Sequence, residues 1–356
     1  MNSNISILQH EAIGLLKELI SIPSLSKQED QTAGLLCRFL GEKDIIHTRV
    51  GNNVFALNKH FDEKKPTILL NSHHDTVKPN PQYSRDPYKP EVEENKLFGL
   101  GSNDAGGCLV SLIATYLHFY DQQNLEYNII IAATAEEEIS GTGGIEYTIP
   151  YLPPINCAIV GEPTQMQMAV AERGLLVLDC ISHGKAGHAA RDEGENAIYN
   201  AIEDINWFKT FHFDKVSDLL GPVKMSVTSI ETENKAHNVI PAICGFVVDT
   251  RVNELYSFEE ILSVIQANVK SEIKPRSTRL RSTSIALDHP LVKAGIELGK
   301  TYYGSPTTSD KALMTFPSLK IGPGDSARSH TADEFIYLNE IKEGIESYIQ
   351  LLNLVV

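Results

Sequence analysis

The stretch TILLNSHHDTV, residues 67–77, begins as a continuous apolar run and ends in two histidines and an aspartate. A short apolar run that does not alternate with polar residues is typical of a strand buried on both faces of a sheet. Similar runs lie at 128–133, 158–160 and 319–321, and Gly106–Phe119 has the apolar spacing of a helix. Strands that alternate with helices predict a layered α/β domain.

Acidic and imidazole side chains follow these apolar runs, and a further run at 97–101, at the point where each run ends. The segments concerned are His73-His74-Asp75, Ser102-Asn103-Asp104, Glu136-Glu137-Glu138, Gly161-Glu162 and, beyond Gly322-Pro323-Gly324, His330. Because ligands bind beyond the carboxyl ends of strands in open α/β sheets, we expect these side chains to gather at one edge. Carboxylates crowded there would repel one another, and one or two divalent cations would remove that cost. Imidazole together with carboxylate favours zinc, with cobalt or manganese as alternatives.

The chain has 356 residues, which predicts two domains. In the middle of the chain, strand-like segments at 175–181, 224–230 and 245–252 are mixed with helix-like segments at 197–208 and 258–269. This pattern is typical of a small two-layer α/β domain. We therefore expect a catalytic domain at 1–168 and 280–356, with a smaller domain inserted at 169–279.

The first 41 residues predict two helices. Glu11–Ile20 carries a helical apolar stripe that Pro23 ends. Ser26 and Glu29 have the spacing of a capping box, which predicts the start of a second helix, and Gly41 is a natural stop.

Composition limits the partners and the compartment. Lys and Arg number 31 against 46 Asp and Glu, and a net charge of −15 argues against nucleic acid or an anionic membrane as the main partner. No apolar run reaches the length of a membrane span, and residues 1–10 lack the pattern of a signal peptide. Five scattered cysteines without a CxxC pair predict reduced thiols in the cytoplasm: Cys37, Cys108, Cys157, Cys180 and Cys244.

Nearly the whole chain resembles the cocatalytic zinc amidohydrolases that include acetylornithine deacetylase, succinyl-diaminopimelate desuccinylase, aminoacylase and carboxypeptidase G. The resemblance is carried by the five segments His73–Val77, Gly99–Gly107, Glu136–Glu138, Gly161–Thr164 and Arg328–Glu334. It implies a zinc-peptidase-like layered α/β catalytic domain with an inserted smaller two-layer α/β domain that serves as lid and dimerisation domain.

The resemblance also implies a set of site residues. His73 and Glu162 would bind one metal ion, Glu138 and His330 would bind a second, and Asp104 would bridge the two. Asp75 would orient the imidazole of His73. Glu137 would serve as the general base and acid.

Two alternatives stay open from the sequence. Three consecutive glutamates allow a shift in which Glu136 is the base and Glu137 the ligand, although this would misplace Ser140-Gly141. His74 could replace His73 as the ligand, although its spacing to Asp75 does not fit the His-x-Asp pattern.

The inserted domain contains further candidates. Gly184–Ala189 resembles the lid motif of the family, which implies that His188 reaches the oxyanion, in the same subunit or in the partner of a homodimer. Asn238 would contact the substrate amide. Arg251 would bind a substrate carboxylate, with a structural salt bridge as the alternative. In the catalytic domain, Gly324 would shape the wall of the substrate pocket.

The overall pattern most resembles acetylornithine deacetylases of arginine biosynthesis, which implies hydrolysis of Nα-acetyl-L-ornithine to ornithine and acetate. Alternative substrates are N-succinyl-ornithine, N-acetyl-citrulline, N-acetyl-lysine, succinyl-diaminopimelate and di- or tripeptides. A non-catalytic metal-binding or amino-acid-sensing relative would lack ligands or the base. Because all five ligands and Glu137 are present, the sequence favours the enzyme.

Overall fold

A computed structural model describes residues 2–191 and 193–356 of the protein. The helices are α1 (Asn2–Ile20), α2 (Asp30–Gly41), α3 (Gly107–Phe119), α4 (Ile145–Thr148), α5 (Ala197–Thr210), α6 (Phe258–Asn268), α7 (Pro290–Glu297) and α8 (Leu338–Asn353). The strands are β1 (His47–Val50), β2 (Asn53–Leu57), β3 (Thr67–His73), β4 (Glu91–Glu93), β5 (Lys96–Phe98), β6 (Asn128–Thr134), β7 (Cys157–Val160), β8 (Met168–Glu172), β9 (Gly174–His183), β10 (Gly187–His188), β11 (Lys224–Glu231), β12 (Val239–Ile240), β13 (Ile243–Val252), β14 (Glu272–Pro275), β15 (Thr283–Ser284), β16 (Tyr302–Ser305), β17 (Ser318–Lys320) and β18 (Phe335–Tyr337).

The chain divides into two compact units. Unit 1 contains the chain up to Val170 together with Ile285–Tyr303 and Ser309–Val356. Unit 2 contains Ala171–Ser284 and the short segment Gly304–Thr308. That short segment falls in the part of the chain for which the sequence predicts the catalytic domain.

Unit 1 is built on a mixed sheet with the strand order β1-β2-β6-β3-β7-β17-β8. Its centre is parallel, because β3 pairs in parallel with both β6 and β7, and β17 pairs in parallel with β7. The pairs β1/β2, β2/β6 and β17/β8 are antiparallel. The carboxyl ends of β6, β3, β7 and β17 therefore lie along one edge.

Both faces of this sheet are covered, which explains why its central strands are apolar runs without alternation. Every residue of β3 and β6 is buried. Helix α3 packs against these two strands and against α1 and α8. On the other face, Leu69 and Ile130 belong to a cluster with Phe55, Ile145 and Met314.

Unit 2 has two layers. Its main sheet has the order β11-β13-β9-β14 and is antiparallel throughout. Strand β13 alternates between buried and more accessible residues, as expected when one face packs on a core. Helices α5 and α6 contribute Ala201, Phe208 and Ile261 to that core, next to Phe246 and Val248 of β13.

The predicted capping box at Ser26 and Glu29 is wrong. Helix α2 begins at Asp30, and Glu29 precedes it without a side-chain capping bond. Instead, Ser26 Oγ donates a hydrogen bond of 2.7 Å to Asp75, and the buried Glu29 carboxylate accepts bonds from Asn52 Nδ2 and the Glu136 N–H. Long-range polar contacts thus replace the local cap.

None of the described helices is both long and apolar enough to cross a lipid bilayer. All five cysteines are free thiols.

Candidate metal centre

Three neighbouring parallel strands deliver acidic and imidazole groups to one edge of unit 1. His73 is the last residue of β3, Glu137 and Glu138 follow β6, and Glu162 follows β7. Because the carboxyl ends of these strands are adjacent, residues far apart in sequence become neighbours. This is the edge at which the sequence predicts the site.

Asp104 reaches the site from outside the central sheet, in contrast to the prediction that it follows a strand of that sheet. The preceding strand, β5, belongs to a separate small sheet of order β18-β5-β4 and not to the central sheet. Asp104 lies in a wide helical turn, Ser102–Gly106, that leads into α3. Since α3 packs directly on β3, the start of this helix brings Asp104 beside His73.

Four of the predicted ligands lie close together around the fifth, Asp104. His73 Nε2 is 3.4 Å from Asp104 Oδ1 and 4.0 Å from Glu162 Oε1. On the other side, His330 Nε2 is 2.9 Å from Glu138 Oε2 and 3.7 Å from Asp104 Oδ2. Asp104 therefore offers one carboxylate oxygen to each histidine.

The electrostatics of the cluster are dominated by burial and crowded carboxylates. Burial, together with the nearby charge of Glu162, raises the pKa of Glu137 well above its usual value. Burial also raises the pKa of Glu138. A hydrogen bond to Glu138 raises the pKa of His330 to about 9. Burial opposes protonation of His73, but Asp104, Asp75 and Glu137 together raise the pKa of its imidazole well above the usual value.

This donor set fits divalent cations. His73 Nε2 is buried and has no hydrogen-bond partner, although carboxylates surround it. Two groups each offer ligand atoms within 4.8 Å of one another: His73 with Asp104 and Glu138, and His73 with Glu137 and Glu162. A cation bound there would pair with the orphaned imidazole nitrogen and offset the repulsion among the carboxylates.

Asp75 contacts the imidazole of His73, as predicted, and also the backbone of the glutamate turn. The Nδ1 atom of His73 donates to the backbone carbonyl of Asp75 at 3.0 Å and lies 3.4 Å from its carboxylate. The carboxylate itself accepts hydrogen bonds from the backbone N–H groups of Glu137 at 3.1 Å and Glu138 at 3.2 Å. Asp75 thus connects the histidine strand to the glutamate turn.

The three consecutive glutamates have different environments. Glu136 turns away from the cluster, and its carboxylate accepts a hydrogen bond from the Gly143 N–H. A Cβ atom on Gly141 or Gly143 would collide with the Glu136 side chain, so the Glu136 carboxylate can occupy this position only beside glycines. Glu137 and Glu138 face the cluster. The geometry therefore favours Glu137 over Glu136 as the base.

His74 is placed as a structural residue. Its Nε2 donates to the Asn52 carbonyl at 2.9 Å, and its Nδ1 lies 2.9 Å from Thr32 Oγ1. Burial lowers the pKa of His74. Both ring nitrogens are engaged, so the alternative in which His74 replaces His73 is not supported.

Gly324 lies beside the Asp104 turn. Its φ of +91° is in the left-handed region, and a Cβ there would collide with Asn103 Oδ1. Asn103 also exchanges two hydrogen bonds of 3.0 Å with the backbone of Asp325. Asn103 directly precedes the predicted bridging ligand, and no feature of the sequence indicates this supporting role.

The remaining predicted residues belong to unit 2. His188 in β10 is exposed, and its Nδ1 accepts a hydrogen bond from the Ala190 N–H. Asn238 is exposed, and its carbonyl accepts a bond from the Ala189 N–H, close to His188 along the β10/β12 pair. Arg251 donates to both carboxylate oxygens of Asp249, at 2.8 and 3.1 Å. For Arg251, the structure therefore has the salt bridge that the sequence left as an alternative.

Comparison with known proteins identifies close fold relatives. The sequence profile of Peptidase family M20/M25/M40 matches residues 69–354. A succinyl-diaminopimelate desuccinylase of Wolbachia pipientis is 25% identical, over 96% of this chain and 94% of its own. Aminopeptidase PepT of Bacillus cereus has a TM-score of 0.77 at 16% identity, with 98% of each chain covered. A dinuclear metal-binding M20 peptidase of Bacillus subtilis has a TM-score of 0.72 at 16% identity, also with 98% of each chain covered. These findings confirm the predicted fold class.

Proposed function

The chain belongs to peptidase family M20/M25/M40, and from that membership we propose that it removes the acyl group from an N-acyl amino acid, with Nα-acetyl-L-ornithine as its substrate. The family fixes the coarser activity: the protein is a metal-dependent hydrolase of amide bonds. The observation that carries metal-dependent hydrolysis is the convergence of four ligand candidates on the fifth, Asp104, with Glu137 beside them. The choice of Nα-acetyl-L-ornithine rests on the family resemblance.

Two divalent cations fit the donor set. His73 and Glu162 would hold one ion, Glu138 and His330 the other, and Asp104 would bridge both. Mixed imidazole and carboxylate ligands favour zinc, with cobalt as a substitute. When bound, such ions supply Lewis acidity to the substrate carbonyl and to water.

Glu137 would move the proton in the reaction. As water adds to the amide carbonyl carbon, the Glu137 carboxylate takes a proton from it. When the carbon–nitrogen bond breaks, Glu137 passes this proton to the leaving nitrogen, so that a carboxylic acid and an amine are released. Asp75 would hold the backbone of Glu137 in place during both steps, because its carboxylate is bonded to that N–H. The role of His188 as a donor to the oxyanion rests on the family resemblance.

A second candidate substrate is N-succinyl-diaminopimelate. The names of several relatives that match over nearly the whole chain favour it, although identity is only 23–25%. These names would place the reaction in lysine biosynthesis rather than arginine biosynthesis.

We also propose a cytoplasmic homodimer. Five free thiols support a reducing compartment. Unit 2 exposes Ile181, Ile230 and Ile243 on three strands of its main sheet, which supports this unit as the dimer interface. Light scattering on the purified protein would test the dimer, and a monomer at micromolar concentration would contradict it.

A substrate panel tests the proposed activity. The purified protein, supplied with zinc or cobalt, would be assayed against acetylated and succinylated ornithine, citrulline, lysine and diaminopimelate, and against a tripeptide. We expect the fastest release of amine from Nα-acetylornithine. Preference for a succinylated substrate would replace the acetyl proposal with the second candidate. Hydrolysis of the tripeptide alone would contradict the deacylase proposal.

A further inference from the structure

Glu334 is a buried carboxylate that contacts the backbone of the Asp104 turn. Its Oε1 accepts hydrogen bonds from the N–H groups of Asn103 at 2.8 Å and Asp104 at 2.9 Å. Its Oε2 accepts a third bond, of 3.2 Å, from the N–H of Gly101. The residue is only 2% exposed. One side chain thus pairs with three backbone donors that are nearly consecutive in the chain.

These contacts are of the kind that fixes a backbone segment. At Asp104 the turn departs from helical geometry, with φ of −118° and ψ of 99°. An N–H group buried without a partner costs about 1–3 kcal/mol, so the turn favours a conformation in which all three donors reach Glu334. The direction of the Asp104 side chain depends on that conformation.

The same carboxylate connects Asp104 to His330. Glu334 follows His330 by four residues, and His330 has a left-handed backbone with φ of 61°. In this segment His330 Nε2 lies 3.7 Å from Asp104 Oδ2. Anchoring Glu334 on the Asp104 turn therefore limits the distance between these two groups, although they are more than 200 residues apart in sequence.

We propose that Glu334 is a positioning residue that holds Asp104 between His73 and His330, so that one carboxylate can serve two cations. This inference rests on the proposed function, in which Asp104 bridges the pair of ions. Outer hydrogen-bond partners of metal ligands typically change metal affinity or activity by about 10- to 100-fold. Glu334 would act on a backbone rather than on the ligand's own carboxylate.

The adjacent Asp333 provides a matched control. It is also an acid in the segment after His330, but it accepts hydrogen bonds from the backbone and hydroxyl of Ser84 and from the Arg85 N–H. Replacing Asp333 by asparagine therefore disturbs the same segment without removing a contact to the Asp104 turn. A difference in metal binding between the two variants can therefore be attributed to the contacts between Glu334 and the Asp104 turn.

The experiment compares wild type, Glu334→Gln and Asp333→Asn. Gln keeps the size of the side chain, but its amide nitrogen would face one of the three N–H donors. Cobalt(II) would be titrated into each protein by calorimetry, with visible absorption as a record of the ligand geometry and steady-state kinetics to separate kcat from KM. Of the two cobalt ions, we expect Glu334→Gln to bind the one with the lower affinity about 10- to 100-fold less tightly than wild type does. The cobalt absorption bands should change, and kcat should be lower. Asp333→Asn should keep the wild-type bands and affinity.

The outcomes separate this inference from the proposed function. If wild type binds no pair of ions, the proposed function fails. If wild type binds two ions and Glu334→Gln gives the same affinity and bands, only the role of Glu334 is overturned. Equal shifts in both variants would also overturn it, because the effect would not be specific to the Asp104 turn. Should Glu334→Gln not fold, Glu334→Asp, which withdraws the carboxylate by one methylene, is measured in its place. Wild-type affinity in Glu334→Asp would overturn the inference.

Discussion

The carboxylate of Asp75 accepts a hydrogen bond of 3.1 Å from the backbone N–H of Glu137, which fixes the proposed base relative to the histidine strand. The same carboxylate also accepts bonds from the Glu138 N–H and Ser26 Oγ. An asparagine side chain has one acceptor oxygen and one donor NH₂ group. In Asp75→Asn the NH₂ group would therefore face at least one of these three hydrogen-bond donors, and that bond would be lost. We expect kcat/KM to fall about 10- to 100-fold, measured by steady-state kinetics.

Ser26→Ala is the control for this prediction. It removes one hydroxyl donor but leaves both backbone bonds of Asp75 in place. We expect a much smaller loss of kcat/KM than for Asp75→Asn. Equal losses would mean that the backbone bonds to the glutamate turn do not matter for catalysis.

The assignment of the base predicts different results for neighbouring glutamates. Glu137→Gln should reduce kcat by about 10²- to 10⁴-fold, because the variant cannot accept a proton. The bound metal, measured by elemental analysis, should change far less. Glu136→Gln can still accept the bond from the Gly143 N–H and should stay close to wild type. Near-normal turnover in Glu137→Gln, or a larger loss in Glu136→Gln, would contradict the assignment.

Replacing each of two adjacent histidines should affect a different property, metal binding for His73 and stability for His74. His73→Ala should lose bound metal, because it removes an imidazole at the centre of the cluster. His74→Ala should keep its metal but lose about 1–3 kcal/mol of unfolding free energy, because it leaves buried partners such as the Asn52 carbonyl unpaired. Elemental analysis and urea unfolding would measure the two effects. Loss of metal in His74→Ala alone would reverse the assignment.

Asp310 predicts a dependence of stability on pH. This buried side chain accepts bonds from Asn71 and Thr134, and burial raises its pKa from 3.8 to about 6. Between these values the folded state binds more protons than the unfolded state, so its stability decreases as the pH rises from about 4 to 6. A shift of this size corresponds to a change on the order of 3 kcal/mol.

The comparison variant is Asp310→Asn, which cannot titrate at this position. Urea unfolding of both proteins in the presence of a chelator, at pH 4 and at pH 7, would give the difference in unfolding free energy. We expect the unfolding free energy of wild type, relative to that of the variant, to be lower at pH 7 than at pH 4. A difference that is independent of pH, or of opposite sign, would contradict the pKa shift.

Much of the central sheet could be predicted because burial on both faces leaves a direct signal in the sequence. The predicted strand at Thr67 extends to His73, and the predicted helix before Phe119 is present as α3. The side chains that follow β3, β6 and β7 could be placed together because parallel strands share an edge. The family resemblance supplied the individual roles.

Other contacts could not be predicted because they join residues that are distant in sequence. Ser26 and Glu29 fit a local capping box, but their partners are Asp75, Asn52 and Glu136. Glu334 lies in a segment that carries the resemblance, yet its bonds to the Asp104 turn depend on folding across more than 200 residues. A polar side chain near a helix start has several partners available, and only the fold selects one.

The most direct test of the account is a crystal structure of the zinc-loaded protein with anomalous differences recorded at the zinc edge. We predict two peaks, one beside His73 and Glu162 and one beside Glu138 and His330, with Asp104 in contact with both. Zinc peaks that do not touch Asp104, or the lack of any peak near His73 in protein that hydrolyses its substrate, would contradict the account.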